Sequence, residues 1–325
     1  MAWFNFNTFN HCRQGRIIVE DITRTMGLQM QALGHCVTWT DTLMSRAAEP
    51  HFPYRQIPVY NVLLESFADD PETLRIIASA RARGCKFIYV ATEEPSDAGF
   101  NHGLDPAMID RQNAYAEAMK YAVGTLHLIP GQHVTDWYAQ FGPAAYAELG
   151  WAPGLDCLDG VIPPVRAWPA QEMPGQPDHD VGFFGKMTWR RGQILDTMEA
   201  MGLKVLRLTG LETPRAERDA IMRRAKVIVQ IRGNDEWTTV SSTRCVAALA
   251  MGRPVIAEPH PSPAPWDEIV GFSQTMEEFY AAAEAWSSYS PQLRDHLQRM
   301  QYSRFREKLT PEHCIGGALR TLGIA

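Results

Sequence analysis

Between residues 180 and 258 the chain runs strand, loop, helix three times over, with polar and cationic residues gathered where each strand hands over to its helix. An alternation of this kind leaves few folds open. Strands that follow one another through helices pair in parallel, with right-handed crossovers, and the sheet is covered by helices. The first unit is the strand Val181-Gly182-Phe183-Phe184-Gly185-Lys186, followed by a helix that Thr188 can cap and that carries Ile194, Leu195, Met198 and Met201 on one face. Gly202 ends that helix, and residues 203–208 form the next strand. Thr213-Pro214 opens a short cationic helix before the strand at 227–231. The loop 232–239 then leads to a helix starting near Ser241 and Ser242, and Gly252-Arg253-Pro254 turns into the strand 255–257.

The N-terminal half alternates in the same way. Strands are expected at 2–6, 36–40, 59–66, 86–91 and 125–129, with helices at 17–33, 70–83 and 107–121. Pro163, Pro164, Pro169, Pro174 and Pro177 exclude a helix or a central strand and predict an extended connector. The expected architecture is α/β: two Rossmann-like doubly wound domains facing each other across a cleft. An N-terminal domain would span 1–160, the connector 161–180 and a C-terminal domain 181–308, with a helix in 309–325 packing back on the N-terminal domain. A chain of 325 residues is long for a single core and fits this division.

A formal net charge of -6 argues against a general nucleic-acid binder and leaves a small partner as the expectation. The six cysteines are scattered without a close pair, so neither a zinc framework nor a disulfide scaffold is indicated. No stretch reaches membrane-spanning length and no basic leader opens the chain, which predicts a cytoplasmic location.

Doubly wound sheets bind ligands at the carboxyl ends of their strands. In the C-terminal half, that edge gathers Gly185, Lys186, Arg190, Arg191, Arg232, Ser241, Ser242 and Arg244 around two helix N-termini, an arrangement suited to a diphosphate. In the N-terminal half, His11 follows the first strand, and Glu93 and Glu94 follow the fourth. Each is a candidate general base. Asp21, early in the first long helix, reads as a favourable N-terminal charge. Trp189, Trp237 and Trp266 lie beside the ligand-facing loops, where one of them could stack on a base or a sugar. Asp178-His179-Asp180 precedes its strand and reads as connector rather than metal ligand, and His260 among prolines reads as a loop feature. A dinucleotide glycine fingerprint, a P-loop and a serine elbow are all missing.

Residues 180–288 resemble the donor-binding domain of GT-B glycosyltransferases, especially the group 1 branch that includes CgeB-like proteins. The matching pieces are Val181-Gly182-Phe183-Phe184-Gly185 with Arg190-Arg191, Ala225-Lys226-Val227-Ile228-Val229, Ser241-Ser242-Thr243-Arg244, and Ala248-Leu249-Ala250-Met251-Gly252-Arg253-Pro254-Val255-Ile256. The resemblance implies metal-independent transfer of a sugar from a UDP-, GDP-, CMP- or dTDP-linked donor to an acceptor hydroxyl on a glycan, protein or small molecule. It requires no further cofactor. Many relatives carry a ribose-binding glutamate where this chain has Ala247, and Glu258 is the preferred replacement among Asp235, Glu236 and Glu258. A nucleotide-sugar 2-epimerase and a non-catalytic sugar- or nucleotide-binding protein are the alternatives.

Overall fold

The computed structural model describes residues 1–7, 16–40, 57–64, 71–103, 106–155, 177–209, 213 and 215–324. His11, Pro214 and most of the predicted connector lie outside these residues. The chain folds as two compact units: one of Met1–Gly15, Ile22–Leu149 and Thr310–Ala325, the other of Arg16–Asp21 and Gly150–Leu309.

The first unit carries a six-stranded sheet, built in chain order from β1 (Trp3–Asn7), β2 (Cys36–Thr40), β3 (Val59–Leu64), β4 (Phe87–Ala91), β5 (Gly124–His127) and β6 (Ala144–Tyr146). Its spatial order is β2-β1-β3-β4-β5-β6, and every pairing is parallel. The helices between strands are α1 (Arg16–Ala32), α2 (Pro71–Ala82), the four-residue α3 (Phe100–Gly103), α4 (Met108–Met119) and α5 (Gln132–Ala139). Apolar runs such as Phe87-Ile88-Tyr89-Val90-Ala91 are buried throughout, as expected for parallel strands covered on both faces.

The second unit contains β7 (His179–Phe184), α6 (Trp189–Ala200), β8 (Val205–Leu208), α7 (Arg215–Met222), β9 (Ala225–Gln230), α8 (Ser242–Ala250), β10 (Val255–Ala257), β11 (Gly271–Phe272), α9 (Met276–Ser288) and α10 (Pro291–Lys308). Its five strands are also all parallel, in the order β11-β10-β9-β7-β8. Alternate residues of β7 face opposite ways. Val181 and Phe183 join Ile194, Leu195 and Met198 of α6, Val227 and Val229 of β9, and Phe279 and Ala283 of α9 in one buried core. Gly182 faces the other way, where α7 brings Met222. Thr188 caps α6 as expected, its Oγ1 accepting from the Arg191 amide at 3.3 Å.

Several expectations are corrected. The strand read as 181–186 begins two residues earlier and ends at Phe184, so His179 and Asp180 belong to β7 rather than to a connector. Their end of the sheet is opposite the expected ligand edge, and Asp180 pairs there with Lys226 at 2.6 Å. Helix α5 and the short strands β6 and β11 have no counterpart among the elements expected from sequence. β6 and β11 are too short to show a period. The C-terminal segment is a π-helical turn, Glu312–Gly316, continuing into α11 (Gly317–Thr321), which packs on β6 within the first unit. No described helix is long and apolar enough to cross a membrane.

Gly182 sits in register with Ile228 of β9, and a Cβ there would lie 2.7 Å from the Ala225 Cβ and 3.0 Å from the Ile228 Cδ1. Gly182→Ala is therefore expected to destabilise the chain by about 1–3 kcal/mol through overpacking, read as a lower urea midpoint with an unchanged m-value.

Candidate functional site

In the second unit the strand order reverses between β7 and β9, since β8 lies outside β7 and β10 lies outside β9. Such a switch point leaves a crevice beyond the strand ends, where ligands bind in doubly wound sheets. The chain leaving β7 there is Gly185-Lys186, and the chain leaving β9 is Ile231-Arg232.

Two buried arginines converge on this edge. Arg191, in the first turn of α6, is 4% exposed, and Arg244, in the first turn of α8, is 7% exposed. Arg191 donates from Nε to the carbonyls of Ile231 at 3.1 Å and Arg232 at 3.2 Å, and from Nη1 to Lys186 O at 2.7 Å. Arg244 donates from Nε to Phe184 O at 2.9 Å and from Nη1 to the Gln230 side chain. Both guanidinium groups lie over the Phe183 ring, at 5.4 and 4.9 Å, and Trp237 flanks Arg191 at 5.5 Å. Neither has a carboxylate within ion-pair distance among the described residues. Burial, and then the neighbouring Arg244 cation, push Arg191 down to about 8. Burial pushes Arg244 down to about 10.

Gly185 makes this possible. Its φ of +132° is open to glycine, and a Cβ would lie 2.9 Å from Arg244 Nη2. Ser241 precedes α8 at its N-cap position but makes no side-chain capping bond, and Ser242 is buried beside it. Lys186 is exposed at the same edge.

The remaining cations are occupied. Glu258, fully buried just past β10, receives Arg190 Nη1 at 2.9 Å together with Arg190 Nη2 and the Arg232 amide. Arg190 Nε also donates to Asp235 at 2.5 Å. Burial opposes the Arg190 charge, but the Glu258 and Asp235 carboxylates outweigh it and raise its pKa. Arg232 donates to the carbonyls of Asp235 at 3.0 Å and Trp237 at 3.1 Å. The structure thus gives Glu258 an internal role, holding Arg190 and the Arg232 loop. Ala247 is buried inside α8.

A second buried group of charges is balanced. Asp21 pairs with Arg215 at 3.0 Å and with Arg218, whose Nη2 is 2.7 Å from Asp219. Two carboxylates therefore face two guanidinium groups. The N-terminal-turn reading of Asp21 missed this, because its partner Arg218 is 197 residues away.

The tryptophans separate as well. Trp266 is buried and stacks on Phe305 at 5.7 Å, Trp237 packs beside Arg191 and Gly233, and Trp189 is 79% exposed. Among the described residues no group of three or more His, Cys, Asp or Glu is placed to hold a metal ion. His260, expected to be a loop feature, reaches this edge. Its Nδ1 lies 2.8 Å from Glu258 O, and burial, partly offset by that bond, pushes its pKa down to about 4.

In the first unit, Glu93 and Glu94 follow β4 and take different partners. Glu93 receives Arg111 Nη1 at 2.9 Å and the Asn101 side-chain amide, which occupies both of its oxygens. Glu94, 6% exposed, has His133 Nε2 at 3.3 Å from Oε1 and His102 Nε2 at 3.5 Å from Oε2. The α3 turn supplies two of these four partners, Asn101 and His102. Asn101 and His102 both adopt left-handed backbone, at φ 54° and 59°, a conformation costing about 1–2 kcal/mol for each residue. Asn101 offsets part of this through its amide, bonded to Glu94 O at 2.7 Å, and its Oδ1, which accepts from the Glu94 amide at 3.1 Å.

No family model matches the chain, and no curated protein matches it. Among solved structures, the DNA modifying enzyme beta-glucosyltransferase, studied with and without its substrate uridine diphosphoglucose, is similar over 99% of this chain and 98% of its own, with a TM-score of 0.54 at 10% identity. The chain has a GT-B fold. The N-terminal domain of Candida albicans trehalose-6-phosphate phosphatase is similar over 100% of this chain and 97% of its own, with a TM-score of 0.50 at 6% identity. At such identities the likeness is one of fold, and the chemistry has to come from this chain's own side chains.

His127 of β5 gives a pH test of the first unit. It is fully buried, with Nδ1 2.9 Å from Ile129 O and Nε2 2.9 Å from Thr135 Oγ1, and burial pushes its pKa from 6.5 down to about 4. The unfolded chain takes up a proton near 6.5 that the native chain takes up only near 4, so stability should fall as pH drops through that window. The full loss is about 3 kcal/mol. Urea midpoints measured from pH 7 to pH 4 should show this slope, and His127→Phe should reduce it, leaving the share that His260 contributes in the same window.

Proposed function

We propose that the chain is a glycosyltransferase that takes its sugar from a nucleotide donor bound at the β7/β9 switch point. One observation carries this reading: Arg191 and Arg244 are buried cations with no carboxylate partner among the described residues, in a unit where the other buried arginines, Arg215 and Arg218, are paired. A guanidinium removed from water without a counter-ion is costly, and a bound diphosphate would supply the missing charge. Lys186 and the uncapped start of α8 with Ser241 and Ser242 would hold the same group. As the sugar leaves, negative charge grows on the diphosphate, and these fixed cations would stabilise it. Arg190, Arg232 and Glu258 would act as the frame that fixes the loop after β9.

The base is assigned to Glu94. Glu93 is bound on both oxygens, whereas Glu94 has only imidazole neighbours, His133 Nε2 at 3.3 Å and His102 Nε2 at 3.5 Å, and its carboxylate would itself take the acceptor's proton. The donor expected is a UDP-, GDP-, CMP- or dTDP-sugar. The glucosyltransferase of similar fold has uridine diphosphoglucose as substrate, which puts UDP-sugars first in a screen. That enzyme modifies DNA, but the net charge of -6 here favours a glycan, protein or small-molecule acceptor. Placement in the CgeB-like branch of group 1 rests on the motifs between Val181 and Ile256.

A thermal-shift screen with the four nucleotide-sugar classes tests the site. A true donor at a hundredfold its Kd should stabilise the chain by about 2.7 kcal/mol. Arg244→Gln should lower affinity at least about tenfold, the scale of one lost charge-assisted contact, and the exposed Lys186→Ala should lower it less. Unchanged affinity in both variants for every nucleotide would overturn the reading. Glu94→Gln should leave donor affinity intact and cut transfer by about a hundredfold or more, measured as product formed per enzyme at saturating donor.

A further inference from the structure

The donor edge offers mainly positive charge and N–H groups, yet one half-buried group on it has the opposite character. His260 Nδ1 is 2.8 Å from the Glu258 carbonyl. A carbonyl only accepts, so the proton sits on Nδ1 and Nε2 carries a bare lone pair. That Nε2 is buried and has no hydrogen-bond partner among the described residues. The ring packs edge-on against Phe272 at 5.5 Å, which fixes its plane, and it stays neutral well below pH 7. Leaving a buried acceptor unsatisfied costs about 1–3 kcal/mol. Trp237 Nε1, on the loop after β9, is a buried donor likewise without a partner among the described residues.

A phosphate cannot answer the lone pair on His260, since acceptor would face acceptor. An O–H group can. Resting on the nucleotide-sugar reading of this edge, we propose that His260 Nε2 accepts a hydrogen bond from a hydroxyl of the donor, on the ribose or on the sugar to be transferred. His260 then takes the hydroxyl-reading role that Glu258, fully committed to Arg190 and the Arg232 amide, cannot fill. The site has two parts: unpaired guanidinium groups for the diphosphate, and a neutral acceptor for the hydroxyl.

The test compares two substitutions. His260→Asn keeps an N–H that can reach the Glu258 carbonyl but removes the acceptor at the Nε2 position, and His260→Gln places an amide oxygen near it. Affinities are measured by calorimetry for inorganic diphosphate, UDP, 2′,3′-dideoxy-UDP and UDP-glucose, or the same set on whichever base the screen prefers. His260→Asn should weaken the hydroxyl-bearing ligands about three- to tenfold, the scale of one net hydrogen bond, and leave inorganic diphosphate unchanged. His260→Gln should recover most of the loss. A penalty that appears with UDP and vanishes with the dideoxy form assigns the ribose, and a penalty seen only with UDP-glucose assigns the sugar. Equal losses on all four ligands, no loss on any, or a penalty retained with the dideoxy form would overturn the proposal. A wild-type chain that binds none of the four sinks the nucleotide reading itself, a result distinct from tight binding indifferent to His260.

Discussion

Two guanidinium groups held away from water by carbonyl oxygens and aromatic faces are the constraint around which the second unit is arranged. Arg191 and Arg244 cannot be placed at random, because each needs acceptors that the ends of β7 and β9 supply: Phe184 O, Lys186 O, Ile231 O and Arg232 O. These carbonyls have spare lone pairs because the strands have just ended and the ladder no longer uses them. Phe183 supplies a ring face to both cations from within the sheet core. The interior that stabilises the unit and the edge that carries its charge are thus the same few residues.

What distinguishes this edge is the allocation of carboxylates. Glu258 and Asp235 hold Arg190, while Asp21 and Asp219 hold Arg215 and Arg218. Arg191 and Arg244 receive no such partner among the described residues. Buried pairs that balance internally contribute structure without asking for a ligand, whereas an unbalanced pair at the mouth of two helices is an electrostatic demand on whatever enters. Glu258 serves this indirectly, by fixing the loop whose carbonyls receive Arg191.

Much of this was legible in the sequence and some was not, for physical reasons. Strands β7, β9 and β10 of the second unit are largely apolar runs, and Thr188 and Ser241 mark helix starts, so these elements and their edges follow from local chemistry. The arginines in the first turns of α6 and α8 also stood out, because cations are unusual there. Pairing across the chain was hidden: nothing near Asp21 announces Arg218, and nothing near Glu258 announces Arg190. The adjacent Glu93 and Glu94 looked equivalent until the fold gave one the Asn101 amide and Arg111 of α4, and the other the imidazoles of His102 and of His133 in α5. His260 looked like loop filler among prolines, since a bare acceptor is visible only once Nδ1 has a partner.

The return of the chain to its first unit has a consequence for synthesis. The edge strand β6 receives α11 from residues made after the second unit, and the Glu148 amide waits for the Cys314 carbonyl at 3.1 Å. A ribosome therefore completes the whole of the second unit while β6 still lacks its cover. During that interval the surface of β6 on which α11 packs stays uncovered, the kind of incompletely buried surface that chaperones bind.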